Sequence, residues 1–367
     1  MSLFHVLELE RHWRIEHGLA PGFGALAQHR PVVAVGAEGP LEGTTLEYDY
    51  FHGRDGLQGV HAHAPHFTPG EMWKHLFAGG AAPGGAVVAH LPPNFRPSAV
   101  PAHREMLRVL RENPPGTVTI VAVGPLANVA LAAAEDPEAF LRVREVVTMG
   151  GALALEGNVT PVAEFNQFAC PYSAARVYAL TSPNPASTMP MCKDLPAYPA
   201  TLSRRLKLTA FPLDITTYHL LALETFQEIS ATLGERGSPL AQWMKHFVEA
   251  TFAKIREIYP GSDKVEEIQM SLHDPLPIWY VLTGDRPGWK FDEDRDVRVE
   301  TQGQWTRGMS IVDRRTKEKE TDLTEELKEH DRGAWLHSAH GNRVRIALDS
   351  PDRATLGQKI IQQIFKC

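Results

Sequence analysis

The apolar positions of this chain fall into short β-branched runs separated by longer amphipathic stretches. Pro31 to Ala37, Thr117 to Val123, Glu145 to Met149 and Lys207 to Pro212 each read as a strand: brief, apolar and bounded by turn residues. Between them, Ala99 to Asn113 repeats Met106, Leu107 and Leu110 on one helical face. Leu220 to Gly234 and Pro239 to Ile258 read as helices, Gln304 to Asp313 and Arg343 to Leu348 as late strands, and Leu356 to Phe365 as a closing helix. Pro125 opens a helix directly after Gly124, where its missing N–H does no harm. Pro171 opens another, with Cys170 at an N-cap that Asp, Ser or Asn would fill better. This alternation predicts an α/β fold: a doubly wound, mostly parallel sheet covered on both faces. No repeat and no linker divides the chain, so residues 1–367 are expected to form one domain.

Composition narrows the function classes. At 367 residues, 43% hydrophobic and 22% charged, the chain is ordinary for a globular protein and long enough to bury a core. A formal net charge of −7 with no basic face argues against a nucleic-acid polymer as partner. Cys170, Cys192 and Cys367 are odd in number and unrelated in spacing, which points to a reducing, cytoplasmic setting. Met1 to Arg14 mixes Glu, Arg and His with its apolar residues and is no secretory signal. Thr117 to Ala134 carries no charge and is long enough to raise a membrane question. Gly124-Pro125 breaks it into strand, turn and helix, so no membrane partner is expected. Residues 315–340 hold a charge-dense stretch that reads as a solvated insertion without chemistry. His61, His63 and His66 have the spacing of a metal site but no nearby Cys or carboxylate partner, so none is expected there.

The stretch Gly157 to Asn166 (GNVTPVAEFN) gathers Asn158, Glu164 and Asn166 around a proline and Phe165, with no Lys or Arg among them. Two carboxamides and a carboxylate can donate to and accept from several vicinal hydroxyls, which suits a sugar better than a phosphate. Read by itself, the segment is as well explained by a polar loop tying down its own backbone. Three other segments change that balance: His52-Gly53-Arg54-Asp55-Gly56-Leu57, Ala122 to Asn128, and Leu272-His273-Asp274-Pro275-Leu276. With Met149-Gly150-Gly151 leading into the first stretch, this order resembles the inosine-uridine-preferring nucleoside hydrolase family, from about His5 to Val312, and most of all its longer members.

The resemblance implies hydrolysis of the N-glycosidic bond of ribonucleosides to ribose and free base, with calcium as cofactor and a small ribonucleoside as partner; a homo-oligomer is compatible with it. Carried over by segment, Asp274 and the Val123 carbonyl would be calcium ligands. Asn158 and Glu164 would hold the ribose 5′-hydroxyl and Asn166 a ring hydroxyl, with Phe165 near the base. His273 would be the general acid, suited to it by an imidazole pKa near working pH. His52 is either a second group on the leaving-group side or a structural loop histidine. Cys170 departs from the family's usual Asp and should weaken its helix start.

The family's DxDxxxDD calcium segment has no counterpart here: before Asp49 the acidic residues are Glu8, Glu10, Glu16, Glu38, Glu42 and Glu47. One carboxylate and one carbonyl fall short of the ~6–8 oxygens that calcium takes. Ser2 to Arg14 matches the helix after the family's second strand, so the domain reads as N-terminally incomplete, its first strands missing. Activity is expected to be impaired, with Asp49 and Asp55 as the first substitutes to examine. The alternative is an inactive pseudoenzyme that keeps a ribose-like pocket. The Pro31 strand is expected to stand apart from Thr117 to Val123 across an empty slot.

Overall fold

A computed structural model describes residues 2–43, 51–53, 55–70, 74–77, 94–258, 268–315, 319–321 and 329–366. In chain order its strands are β1 (Val32–Val33), β2 (Arg96–Pro97), β3 (Thr119–Ala122), β4 (Glu145–Met149), β5 (Leu208–Phe211), β6 (Leu220–Ala222), β7 (Gln269–Ser271), β8 (Lys290–Arg295), β9 (Val297–Val299), β10 (Ser310–Val312) and β11 (Val344–Asp349). Five of them form the main sheet in the order β3-β4-β5-β11-β8. The first four run parallel and β8 is antiparallel to β11.

The sheet is covered on both faces, as its sequence demands. On β4, Val146 points into one core with Leu107, Leu110, Phe140, Val177 and Leu180. The next residue, Val147, points into a second core with Phe211, Phe226, Phe252 and Leu276. Both valines are fully buried, each stabilising by roughly 1.5–3 kcal/mol relative to exposure. Opposite faces for successive residues follow from the strand's period of two, and an all-buried run such as Glu145–Met149 is what a doubly covered parallel strand needs.

Helix Ser2–Glu16 packs on helix Pro239–Ile258. The buried Glu10 fixes that contact: its carboxylate accepts from Ser238 Oγ (2.6 Å) and the Leu240 N–H (3.1 Å), and pairs with Arg14 Nε (3.0 Å). A carboxylate at a helix N-terminus meets unpaired N–H groups and the favourable end of the helix dipole.

Several boundaries differ from the sequence expectation. Leu220–Ala222 is not helix; it forms β6, antiparallel to β7, and the helix runs Leu223–Glu235. The helix after Gly124-Pro125 begins at Ala127, with Leu126 as N-cap. The late strand shrinks to Ser310–Val312 because residues 304–308 form a turn. β8 and β9 were not among the expected strands; Lys290–Arg295 (KFDEDR) is an edge strand, where charge discourages further pairing. The Pro31 run yields only β1, whose partner is β2, and no ladder joins Val33 to Thr119 among the described residues.

Residues 315–340 lie partly outside the described residues, and the described ends are not simply solvated. Lys319 Nζ reaches Asp296 Oδ2 (2.8 Å) and Arg298 stacks over Trp335 (3.6 Å). Among the described residues no helix is long and apolar enough to cross a membrane.

Candidate active site

Parallel strands β3, β4 and β5 end at one edge of the sheet, with Ala122 level with Thr148 and Thr148 level with Ala210. Such carboxyl edges are where open α/β sheets place ligands. The chain leaves β4 through Gly150-Gly151. At Gly151 φ is +90°, and a Cβ would stand 2.8 Å from both Gln167 Nε2 and Ser310 Oγ, so only glycine lets the backbone pass.

Glu164 closes this turn. It is 1% exposed and caps helix Phe165–Ala169. Its Oε1 accepts from the Asn166 N–H (2.9 Å), and its Oε2 from the N–H groups of Gly151 (2.9 Å) and Gln167 (3.1 Å). Burial raises its pKa and the nearby Asp274 charge adds to that, while the three backbone donors oppose both. Asn158 accepts the Phe165 N–H through Oδ1 (2.9 Å), and Asn166 Nδ2 donates to the Met149 carbonyl (3.2 Å). The tied-down loop and the polar cluster are therefore one object: the side chains suited to hydroxyls also hold the loop's shape. Glu164 keeps spare acceptor capacity on Oε1, and Asn158 keeps its amide N–H groups.

Phe165 lines a cleft of about 270 Å³ with Glu38, Pro125, Asn128 and Cys170 among its other walls. Cys170 makes no side-chain cap on helix Pro171–Ala179, as its departure from Asp suggested; its Sγ accepts the Leu41 N–H instead (3.2 Å).

His273 and Asp274 stand between β7 and helix Pro275–Thr283. Asp274 occupies the N-cap position yet makes no capping bond, so its carboxylate is not used up as a helix cap. His273 Nδ1 lies 2.7 Å from Thr216 Oγ1, just past the end of β5. Burial, then the charge of His52, pushes its pKa down to about 4. This corrects the sequence expectation: near neutral pH His273 is an uncharged imidazole. Asp274 opens to solvent on one side while protein packed around the other raises its pKa, against the opposing charge of His52. His52, His273, Asp274 and Glu164 thus lie within electrostatic range of one another in sequence-distant pairs. Val123 follows β3 directly, one residue beyond the pair Ala122–Thr148, at the same edge.

Asp49 lies outside the described residues. Asp55 is committed to its own loop, accepting from the N–H groups of Leu57, Gly59 and His61. The histidine-rich segment does have a carboxylate neighbour, since His61 Nδ1 is 3.4 Å from Asp55 Oδ2. His63 turns to the Gly59 carbonyl and His66 packs on Phe67, so the three rings diverge. Among the described residues no group of three or more His, Cys, Asp or Glu stands together as a metal cluster. Asp274 and the Val123 carbonyl do not by themselves fit a calcium ion that takes ~6–8 oxygens.

Two site residues escaped the sequence reading. Thr216 holds His273, and Asp214 accepts the N–H groups of Leu153 (2.8 Å) and Ala154 (2.7 Å), bracing the loop after Gly151. Both follow a buried parallel strand within a few residues, the signal that could have found them.

The family model described as inosine-uridine preferring nucleoside hydrolase matches residues 22–341. A pyrimidine-specific ribonucleoside hydrolase RihA of Salmonella paratyphi B is 30% identical over 77% of this chain and 69% of its own. The RihA of Klebsiella pneumoniae is 33% identical over 60% of this chain and 59% of its own. The chain thus spans about 60% of the length of the curated relatives that head the comparison. Among solved structures, a plant nucleoside hydrolase superposes with a TM-score of 0.60 at 19% identity, covering 92% of this chain and 79% of its own. A purine-preferring ribonucleoside hydrolase from Gardnerella vaginalis does so at 0.56 and 15%, covering 91% and 79%. At such identities these two likenesses speak for the fold.

Proposed function

Because the chain belongs to the inosine-uridine preferring nucleoside hydrolase family, we propose that it acts on ribonucleosides, cleaving the N-ribosidic bond to release ribose and the free base. The observation that carries this reading is the placing of the buried Glu164 beyond β4 and of His273, held by Thr216, beyond β5, with Asp274 and His52 near enough for their charges to act on this pair. Asn158 and Asn166 flank that point and offer amide donors and acceptors to ribose hydroxyls. Phe165 provides an apolar wall for a base.

In this reading the oxygen of water bonds to the anomeric carbon as the carbon–nitrogen bond breaks and its electron pair leaves on the base. The water gives up one proton and the base nitrogen takes one up, so ribose and neutral base result. His273 hydrogen-bonds that nitrogen through an N–H. That N–H is on Nε2, the tautomer in which Thr216 Oγ1 donates to Nδ1; were Thr216 to accept from Nδ1–H, Nε2 would be left an acceptor only. Its low pKa leaves the ring mostly without its second proton in the free protein, so to pass a full proton it must first take one from solvent, which the negative charge building on the leaving base favours. Calcium is the family's cofactor, but Asp274 and the Val123 carbonyl do not by themselves fit it.

A second reading, a ribonucleoside-binding protein without turnover, is favoured by that sparse donor set. Cytoplasmic nucleoside salvage suits either reading, and the unpaired, buried Cys170 and Cys192 suit a reducing compartment. Incubating the purified protein and its His273→Ala variant with inosine, uridine and cytidine, with and without calcium, separates the readings. Base release by wild type that His273→Ala slows at least about tenfold supports hydrolysis. Binding without release supports the second reading, and neither binding nor release overturns both.

A further inference from the structure

The loop that carries His52 is organised around one carboxylate. Asp55 Oδ1 accepts the N–H groups of Leu57 (2.9 Å) and Gly59 (2.8 Å), and Oδ2 accepts that of His61 (3.1 Å). Oδ2 also lies 3.4 Å from His61 Nδ1. The other ring nitrogen of His61 is 2.8 Å from Ser2 Oγ, at the start of the first helix. Between these anchors the loop closes on itself, with the Gln58 N–H on the His52 carbonyl (2.9 Å) and the Gln58 side-chain amide on the Phe51 carbonyl. Helix Ser2–Glu16 is in turn bolted to helix Pro239–Ile258 through Glu10. The first helix and these polar contacts therefore link a buried helix junction to the loop of His52, whose charge acts on His273 and Asp274.

We infer that Asp55 is a positioning residue that sets the place of His52 on the base side of the proposed ribonucleoside site, with His61 locking the loop to the first helix. The inference rests on the ribonucleoside reading for its ligand, though not for its geometry. Three backbone donors converging on a largely covered carboxylate define one loop shape and disfavour others. Burial works against the ionised carboxyl, yet the three N–H groups bring its pKa below the usual carboxylate range, so the loop is built for the charged form. Asp55 gives both its oxygens to its own loop. Its effect must pass through His52, and His52 addresses the base side while Asn158 and Asn166 address the ribose. That separation makes the role measurable.

The test compares inosine with ribose, by calorimetry, on wild type, Asp55→Ala, Asp55→Asn and His61→Gln, alongside the histidine ring resonances of each protein without ligand. Asp55→Ala is expected to weaken inosine binding about tenfold or more while ribose stays within about twofold, and to move the His52 ring resonances. Asp55→Asn keeps an oxygen for the Leu57 and Gly59 N–H groups and should recover inosine to within about threefold of wild type. His61→Gln should fall between, since it frees the loop from the first helix and leaves the three backbone bonds. An equal loss of both ligands in Asp55→Ala, or a loss of neither, overturns the inference. So do His52 resonances that stay in place in Asp55→Ala. A wild type that binds no inosine sinks the ribonucleoside reading alone, and the His52 resonances still decide the positioning.

Discussion

Replacing Glu164 by alanine puts the double role of its loop to a quantitative test. The substitution deprives three backbone N–H groups, those of Gly151, Asn166 and Gln167, of their acceptor. Two of these residues are buried, so water cannot readily take the carboxylate's place. Orphaned buried donors cost about 1–3 kcal/mol each, and as neighbours they do not add fully, so the gross loss is about 3–4 kcal/mol. The raised pKa of Glu164 shows that the ionised group is itself disfavoured by burial, so removing it returns part of that loss. The net destabilisation comes to about 2–3 kcal/mol. For 367 residues the unfolding entropy is about 0.8 kcal/mol/K, which converts the loss into a drop in Tm of about 3–4 °C. Calorimetric melts of wild type and Glu164→Ala at pH 7 read it directly. A Tm within about 1 °C of wild type would refute the reasoning, because a side chain that only waits for a ribose hydroxyl would cost the empty protein nothing.

Glu10→Ala strands the buried Arg14 charge and the Ser238–Leu240 helix start, and urea titration should show a loss of about 3–5 kcal/mol. His219 is fully buried between the Ile215 carbonyl and Ser350 Oγ, and burial lowers its pKa. The unfolded chain then takes up this proton first, so stability is full above about pH 6.5 and falls as pH drops through the lowered pKa. His219→Gln should flatten that part of the stability profile, and an unchanged slope in melts from pH 7 to 5 would count against it. Calcium titrated into the purified chain should give no binding tighter than about 10⁻³ M, and a micromolar constant would mean that other oxygens complete the site.

Some of this protein is written locally in its sequence. Glu145–Met149 and Pro239–Ile258 have the boundaries that their residues predict, because a short β-branched run and a long amphipathic one each carry their own period. The polar segment from Asn158 to Asn166 stood out by its residue types, but by itself it was as well explained by a loop tying down its own backbone, and the hydrogen bonds of Glu164 and Asn158 show that it does this. β6 was not legible, since Leu-Leu-Ala favours a helix until Gln269–Ser271 arrives from far along the chain to pair with it. β8 was hidden by its charges, which only an edge position explains.

The site divides along the same line. The sequence determined which groups are present: the carboxamides of Asn158 and Asn166, the carboxylates of Glu164 and Asp274, and the imidazoles of His52 and His273. The tertiary structure decided what each group can do. Burial and three backbone donors turned Glu164 into the cap of its own loop. Burial beside His52 made His273 neutral, the missing cap bond left Asp274 available, and three N–H groups claimed Asp55. Residue type fixes the kind of charge or hydrogen bond a side chain can offer. Its protonation state and free valences depend on desolvation and on partners that only the folded chain brings near.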